Sequence, residues 1–115
     1  YGDKKELLPG ITAVSSFGHT AGHTSHILSS GNQSVLVQAD ITAGMVPLFV
    51  KNPDWQAGFD FDKAAAVAVR KKLYDMASAD KMMVQGFHLP FPAAGYIEKA
   101  GNGYRLVATT WNPSM

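Results

Sequence analysis

Hydrophobic and polar positions divide this chain into three regimes. The first is strand-like. After a turn at Leu7-Leu8-Pro9-Gly10, Ile11–Ser15 predicts a short strand, and Thr24–Ser29 and Ser34–Ala39 predict two more around a hairpin turn, Ser30-Gly31-Asn32-Gln33. The last of these alternates, is rich in Val and Leu, and ends at Asp40. In the second regime, Ile41 to Gly58, periodicity is lost. Gly44, Pro47, Pro53 and Gly58 alternate with apolar Met45, Val46, Leu48, Phe49 and Trp55. Such a stretch predicts a long irregular loop that walls a pocket or packs against a partner. The third opens with a helix over about Asp62–Ser78, capped by Asp60 or Asp62. Ala66, Val69, Leu73 and Met76 form its buried stripe, with Lys63, Arg70 and Lys71 on the solvated side. A strand over Lys81–Gln85 runs into Gly86-Phe87-His88-Leu89-Pro90-Phe91-Pro92. A hairpin follows, Tyr96–Ala100 and Tyr104–Thr109 around Gly101-Asn102-Gly103. The β-β-α-β-β order predicts an α/β layered fold.

Composition narrows the classes. With 115 residues, 46% of them hydrophobic, the chain suffices for one small domain with a core, and disorder is excluded. Net charge is +1, and the basic residues cluster only at Arg70-Lys71-Lys72, which reads as a solvated helix face, so nucleic acid is not an expected partner. No apolar run approaches the ~20 residues of a membrane span, so no membrane partner is expected. There is no cysteine, which excludes disulfides and thiolate metal sites and leaves His, Asp and Glu as the ligands for any metal. The chain opens at Tyr1 on a polar stretch, as a mature product, a trimmed chain or a fragment would.

Three of the four histidines fall within eight positions: His19, His23 and His26. Gly18 and Gly22 argue against a helix there, and a glycine-flanked loop leaving a strand suits a metal ligand, although spacing does not say which histidine binds. Asp40 follows an apolar strand, at the sheet end where α/β proteins place their sites. His88 also follows a short strand and precedes two prolines. If the three strands share a sheet edge, these side chains converge, and Zn²⁺, Mn²⁺, Fe²⁺ or Co²⁺ suits imidazole and carboxylate donors. The plainer roles are a surface loop, a strand-end cap and a structural histidine. Phe49, Trp55, Phe87 and Phe91 are candidates for an apolar pocket, with packing in the core as the plainer role.

The segment Gly18-His19-Thr20-Ala21-Gly22-His23, then Asp40 at a strand end, then His88 after a later strand, resembles the C-terminal half of the metallo-β-lactamase superfamily. The likeness spans most of the chain. It is nearest to the methyl-parathion-hydrolase-like branch, through His88-Leu89-Pro90-Phe91-Pro92, the alanine-rich helix with Arg70-Lys71-Lys72, and the hairpin Tyr96 to Arg105. The resemblance implies the β/α half of an αβ/βα sandwich. It implies His19 and His88 as metal ligands and Asp40 as the carboxylate bridging two ions and central to catalysis. His23 and His26 then have supporting or structural places, with His23 the main rival to His19.

Two departures stand out. The superfamily's His-x-His-x-Asp-His motif, which supplies four more ligands, occurs nowhere in this sequence, and Ser16-Phe17 stands where many relatives have Thr-Pro. Three residues cannot saturate two ions held ~3.5–4 Å apart. The expected cofactors are two divalent metal ions, zinc first. The expected partner is a complementary N-terminal half of the fold, with a homodimer as a further option that does not restore the missing motif. The resemblance implies hydrolysis of an ester-like small molecule (an organophosphate triester, a lactone or a related ester) by a metal-activated hydroxide, the isolated chain being inactive. Alternatives are a thioester hydrolase or sulfur-oxidising relative, and a non-catalytic fragment or binding domain. Bacterial periplasmic, secreted and cytoplasmic locations all fit.

Overall fold

A computed structural model describes residues 2–42 and 44–110; Tyr1 and Ala43, which belong to the polar opening and the predicted loop, lie outside them. Seven strands form one sheet in sequential order: β1 (Lys4–Leu8), β2 (Ile11–Ser15), β3 (Thr24–Ser30), β4 (Gln33–Val37), β5 (Met83–Gln85), β6 (Ala94–Ala100) and β7 (Gly103–Ala108). All neighbours are antiparallel except β4 and β5, which run parallel. The crossover between these two carries both helices, α1 (Val46–Lys51) and α2 (Lys63–Ala79). The α/β layered fold predicted from the element order is therefore the one observed.

Two predicted boundaries are corrected. Lys4–Leu8 is a strand rather than a lead-in to a turn; it is an edge strand exposed at every residue, so it carries no alternation to read. The stretch 41–58 is not wholly irregular, because Val46–Lys51 makes a six-residue helix with a proline in its first turn and Val46 and Val50 buried.

Helix α2 forms where propensity and capping agree. It is alanine-rich, free of Gly and Pro, and the Asp62 carboxylate accepts the Ala65 N–H at 2.9 Å. Ala66 and Leu73 are buried as expected, while Val69 and Met76 are only partly so. The expectation for Arg70 is overturned. It is 1% exposed, and the buried stripe is Ala66, Arg70, Leu73, Tyr74 and Ala77. Its guanidinium donates to the carbonyls of Ile41 (3.2 Å), Pro53 (2.8 Å) and Trp55 (2.8 Å) and lies over the Phe49 ring. The arginine thus ties the 41–55 segment to the helix.

Residues opposite one another in a sheet share a face. The face bearing Val14, Ile27, Leu36, Val84 and Ile97 is buried with Leu73, Tyr74 and Ala77 of α2 in one core. The other face carries Ile11, Leu28, Val35, Val37, Met83, Tyr96 and Val107, with Leu28, Tyr96 and Val107 each about 40% exposed. Leu8, at the β1 end of the sheet, is likewise exposed.

Tyr74 is completely buried; its hydroxyl donates to Gln38 Oε1 (2.9 Å) and pairs with Thr42 Oγ1 (2.7 Å). Burial pushes the phenol up to about 12. Because the folded value lies above the unfolded one near 10, Tyr74 contributes stability that is complete below pH ~10 and is lost as pH rises toward 12. Urea denaturation at pH 8 and 11 is expected to show a loss of about 1.4 kcal/mol from this group for the pH unit above 10. Tyr74→Phe is expected to flatten that part of the profile, and an unchanged slope would assign the loss to other groups.

Candidate metal centre

Strand directions decide where the chemistry collects. β2 and β4 are each antiparallel to β3, and β5 is parallel to β4, so β2, β4 and β5 end at one sheet edge. His19, Asp40 and His88 follow those three ends, four, three and three residues on. Placement at a common edge agrees with the sequence-based expectation. The side chains, however, do not gather around one point. Among the described residues, no three His, Asp or Glu side chains are arranged to hold a single ion.

They form two pairs instead. His88 Nε2 lies 2.8 Å from Asp40 Oδ1, both side chains being partly exposed. His19 Nδ1 lies 2.9 Å from Asp60 Oδ1, with the Asp60 side chain only 4% exposed. His23 stands between the pairs. Its ring meets that of His19 edge-on, with centroids 5.9 Å apart, and its Nε2 accepts the Asp40 N–H at 3.0 Å. A backbone N–H can only donate, so the neutral His23 ring carries its proton on Nδ1, which faces Ser16 Oγ (2.8 Å) and the Ser16 carbonyl (3.1 Å). Both ring nitrogens are therefore engaged inside the protein. Burial, and the neighbouring His19, push the imidazole below the ordinary histidine range. The buried Ser25 hydroxyl, shared between Ser16 Oγ (2.9 Å) and the Gln38 carbonyl (3.1 Å), extends this network to the end of β4. His26 lies mid-strand, opposite Ala13 and Val37 on the open face and apart from these contacts.

Two glycines permit the arrangement. Gly18 (φ 144°) presses against α2, where an added Cβ would stand 2.4 Å from the Ala66 nitrogen. At that approach the Asp62 N–H donates to the Gly18 carbonyl (2.9 Å) and the Phe61 N–H to the His19 carbonyl (3.2 Å). The start of the helix and the histidine loop are thus laced together. Gly86 lies against the fully buried Gln38, where a Cβ would come within 2.6 Å of that side chain. Gln38 and Gly86 each sit two residues before a member of the Asp40–His88 pair, so their close packing brings the pair into register.

Sequence reading missed Asp60 as part of this site, treating it only as a helix cap. Asp62 is the cap. Phe59 and Phe61, either side of Asp60, are 62% and 78% exposed, an inversion of the usual pattern in which the carboxylate is outside. Phe87 and Phe91, flanking His88, are also exposed (72% and 76%), so neither belongs to the core; Phe49 is half-buried against Trp55.

Neither a family model nor a curated protein sequence matches the chain. Solved structures do. AidC, a dizinc quorum-quenching lactonase in complex with a product, matches with a TM-score of 0.85 and 30% identity over 97% of this chain. AbOPH, a hydrolase of the β-lactamase superfamily, matches with a TM-score of 0.85 and 25% identity over 93% of this chain. A probable metal-dependent hydrolase from Staphylococcus aureus matches at 0.73 with 20% identity over 96%. The fold is the mixed α/β fold of these β-lactamase-superfamily structures, built here on one seven-stranded sheet. The chain spans only 38%, 37% and 40% of the lengths of these three structures. AidC and AbOPH are metallo-β-lactamase superfamily hydrolases, and no helix among this chain's described residues is long and apolar enough to cross a membrane.

The donors present fit divalent metals of the zinc type in kind. They are imidazole nitrogen and carboxylate oxygen, with no thiolate. In number they make a partial set, since each of two ions needs three or more protein ligands.

Proposed function

We propose that this chain is the C-terminal part of a metal-dependent hydrolase of ester-like substrates, active when an N-terminal half carrying His-x-His-x-Asp-His completes the site. The observation that carries the reading is the delivery of His19, Asp40 and His88 to one sheet edge by three strand ends, in a fold shared at 30% identity with a dizinc lactonase. His19 would hold one ion, His88 the other, and Asp40 both. Two divalent ions, zinc first, would activate water and polarise the electrophile. His23 has no ring nitrogen left for a metal and holds the Asp40 backbone instead, which supports His19 over His23 as the ligand. The uncovered apolar sheet face supports completion by a second layer, because an exposed surface of that kind is normally packed in a sandwich.

Within the superfamily, the His88–Pro92 segment and the closing hairpin support a place beside the methyl-parathion-hydrolase branch, and the likeness to AidC, a lactonase, supports lactones among the substrate classes. The exposed Phe87 and Phe91 beside His88 suit the apolar part of an organophosphate triester or lactone.

The test is metal analysis and turnover on the completed protein and on this chain alone. The completed protein is expected to hold two ions and hydrolyse a phosphotriester or an acyl-homoserine lactone, and the isolated chain to show no turnover. One iron would favour sulfur oxidation, and no metal a binding domain. Full activity from this chain alone would overturn the need for a second half.

A further inference from the structure

We infer that Asp60 is the positioning residue of His19, fixing its ring orientation and tautomer so that Nε2 is presented outward as the donor nitrogen. The inference rests on the reading of His19 as a metal ligand.

Asp60 is 8% exposed, and burying a carboxylate is costly unless it is partnered. Among the described residues it has one side-chain hydrogen-bond partner. Oδ1 accepts from His19 Nδ1 at 2.9 Å, while Oδ2 is buried with no hydrogen-bond partner among the described residues. A carboxylate buried for fold stability alone would be expected to satisfy both oxygens or to cap the adjacent helix. Asp62 already caps α2, through the Ala65 N–H. The buried Arg70 guanidinium acts on Asp60 electrostatically, which offsets part of the burial cost without a direct bond.

Everything else around His19 serves the same constraint. The bonds from the Phe61 N–H to the His19 carbonyl and from the Asp62 N–H to the Gly18 carbonyl directly follow Asp60, so the carboxylate and the imidazole are carried by two backbone segments bonded to each other. Phe59 meets the His19 ring edge-on, with centroids 6.0 Å apart. An ionised carboxylate only accepts, so the proton of the neutral ring lies on Nδ1 and the lone pair on Nε2. Nε2 has no hydrogen-bond partner among the described residues. A carboxylate behind a histidine is the arrangement that orients a ligand and raises its basicity.

The tautomer can be read directly, without metal or substrate, from long-range proton–nitrogen correlation spectra of the histidine rings in this 115-residue chain. Wild type is expected to show His19 with Nδ1 protonated. Asp60→Ala is expected to lose that preference and weaken Zn²⁺ binding at His19, followed by titration of the same signals, by about 10–100-fold. Asp60→Asn keeps an acceptor oxygen and is expected to retain the tautomer with a several-fold weaker response. Wild-type tautomer and Zn²⁺ response in Asp60→Ala, with only thermal stability lowered, would make Asp60 a structural group and overturn the inference. If Asp60→Ala does not fold, an unweakened Zn²⁺ response in Asp60→Asn overturns it. His19→Ala separates the two readings: unchanged Zn²⁺ binding there removes the metal role of His19, while the tautomer result still decides whether Asp60 positions the ring.

Discussion

Arg70→Leu is expected to destabilise this chain by about 3–5 kcal/mol, a large share of the 5–15 kcal/mol that holds a domain together. Leucine fills most of the space but donates nothing. The carbonyls of Ile41, Pro53 and Trp55 would each lose a charge-assisted hydrogen bond in a setting where Arg70 is 1% exposed. A buried acceptor left unpaired costs about 1–3 kcal/mol, and the stacking on Phe49 goes as well. Water can reach the partly exposed end near Trp55 and recover some of this, which keeps the figure below the sum. Arg70→Lys should fall between, because one ammonium cannot span three carbonyls. Urea midpoints for wild type and both variants check the ranking; a loss under ~1 kcal/mol for Arg70→Leu would mean that the 41–55 segment is held from elsewhere.

That arginine also marks where the sequence stops being informative. Turn residues located β2, β3, β6 and β7, alternation located β4, and the spacing of Ala66, Val69, Leu73 and Met76 located α2, because turns and one-sided burial leave local patterns. Arg70 was placed in solvent because charge type, not partner availability, is what a pattern encodes; its acceptors lie 15 to 29 residues away in sequence. Strand β1 was illegible for the opposite reason. An edge strand exposed at every position has no burial to imprint on its residues.

The candidate site was half legible on the same grounds. His19, Asp40 and His88 could be picked out because each follows a strand end, and strand ends are readable. Their partners were not. The pairing of His19 with Asp60 spans 41 residues and depends on Gly18 fitting against Ala66, a tertiary approach that no local spacing reports. The contradiction appears only in the structure: in Phe59-Asp60-Phe61 the aromatics are outside and the carboxylate inside, and such departures from the burial pattern collect at functional sites.

The largest effect on activity is expected at Asp40. In the completed protein, Asp40→Ala should lower kcat/KM by at least about 10³-fold, equivalent to about 4 kcal/mol of transition-state stabilisation, and reduce the metal content below two ions. Asp40→Asn should do nearly as much, since an amide keeps the shape but lacks the charge that the proposed role of Asp40 toward two cations would require. Stability should change little, because the carboxylate is partly exposed and among the described residues its side-chain ion pair is with His88, while the backbone N–H that His23 accepts survives both substitutions. His23→Ala should behave in the reverse manner. It removes a buried ring that satisfies the Asp40 N–H and the Ser16 carbonyl, so it should cost stability by about 1–3 kcal/mol and lower activity less than Asp40→Ala, through a loosened Asp40. Measuring kcat/KM, bound metal and urea midpoint on the same three variants separates the roles. If His23→Ala instead proved the more damaging to activity, with metal lost and stability intact, the ligand would be His23, and the contacts that occupy both its nitrogens would have to open when the second half of the fold arrives.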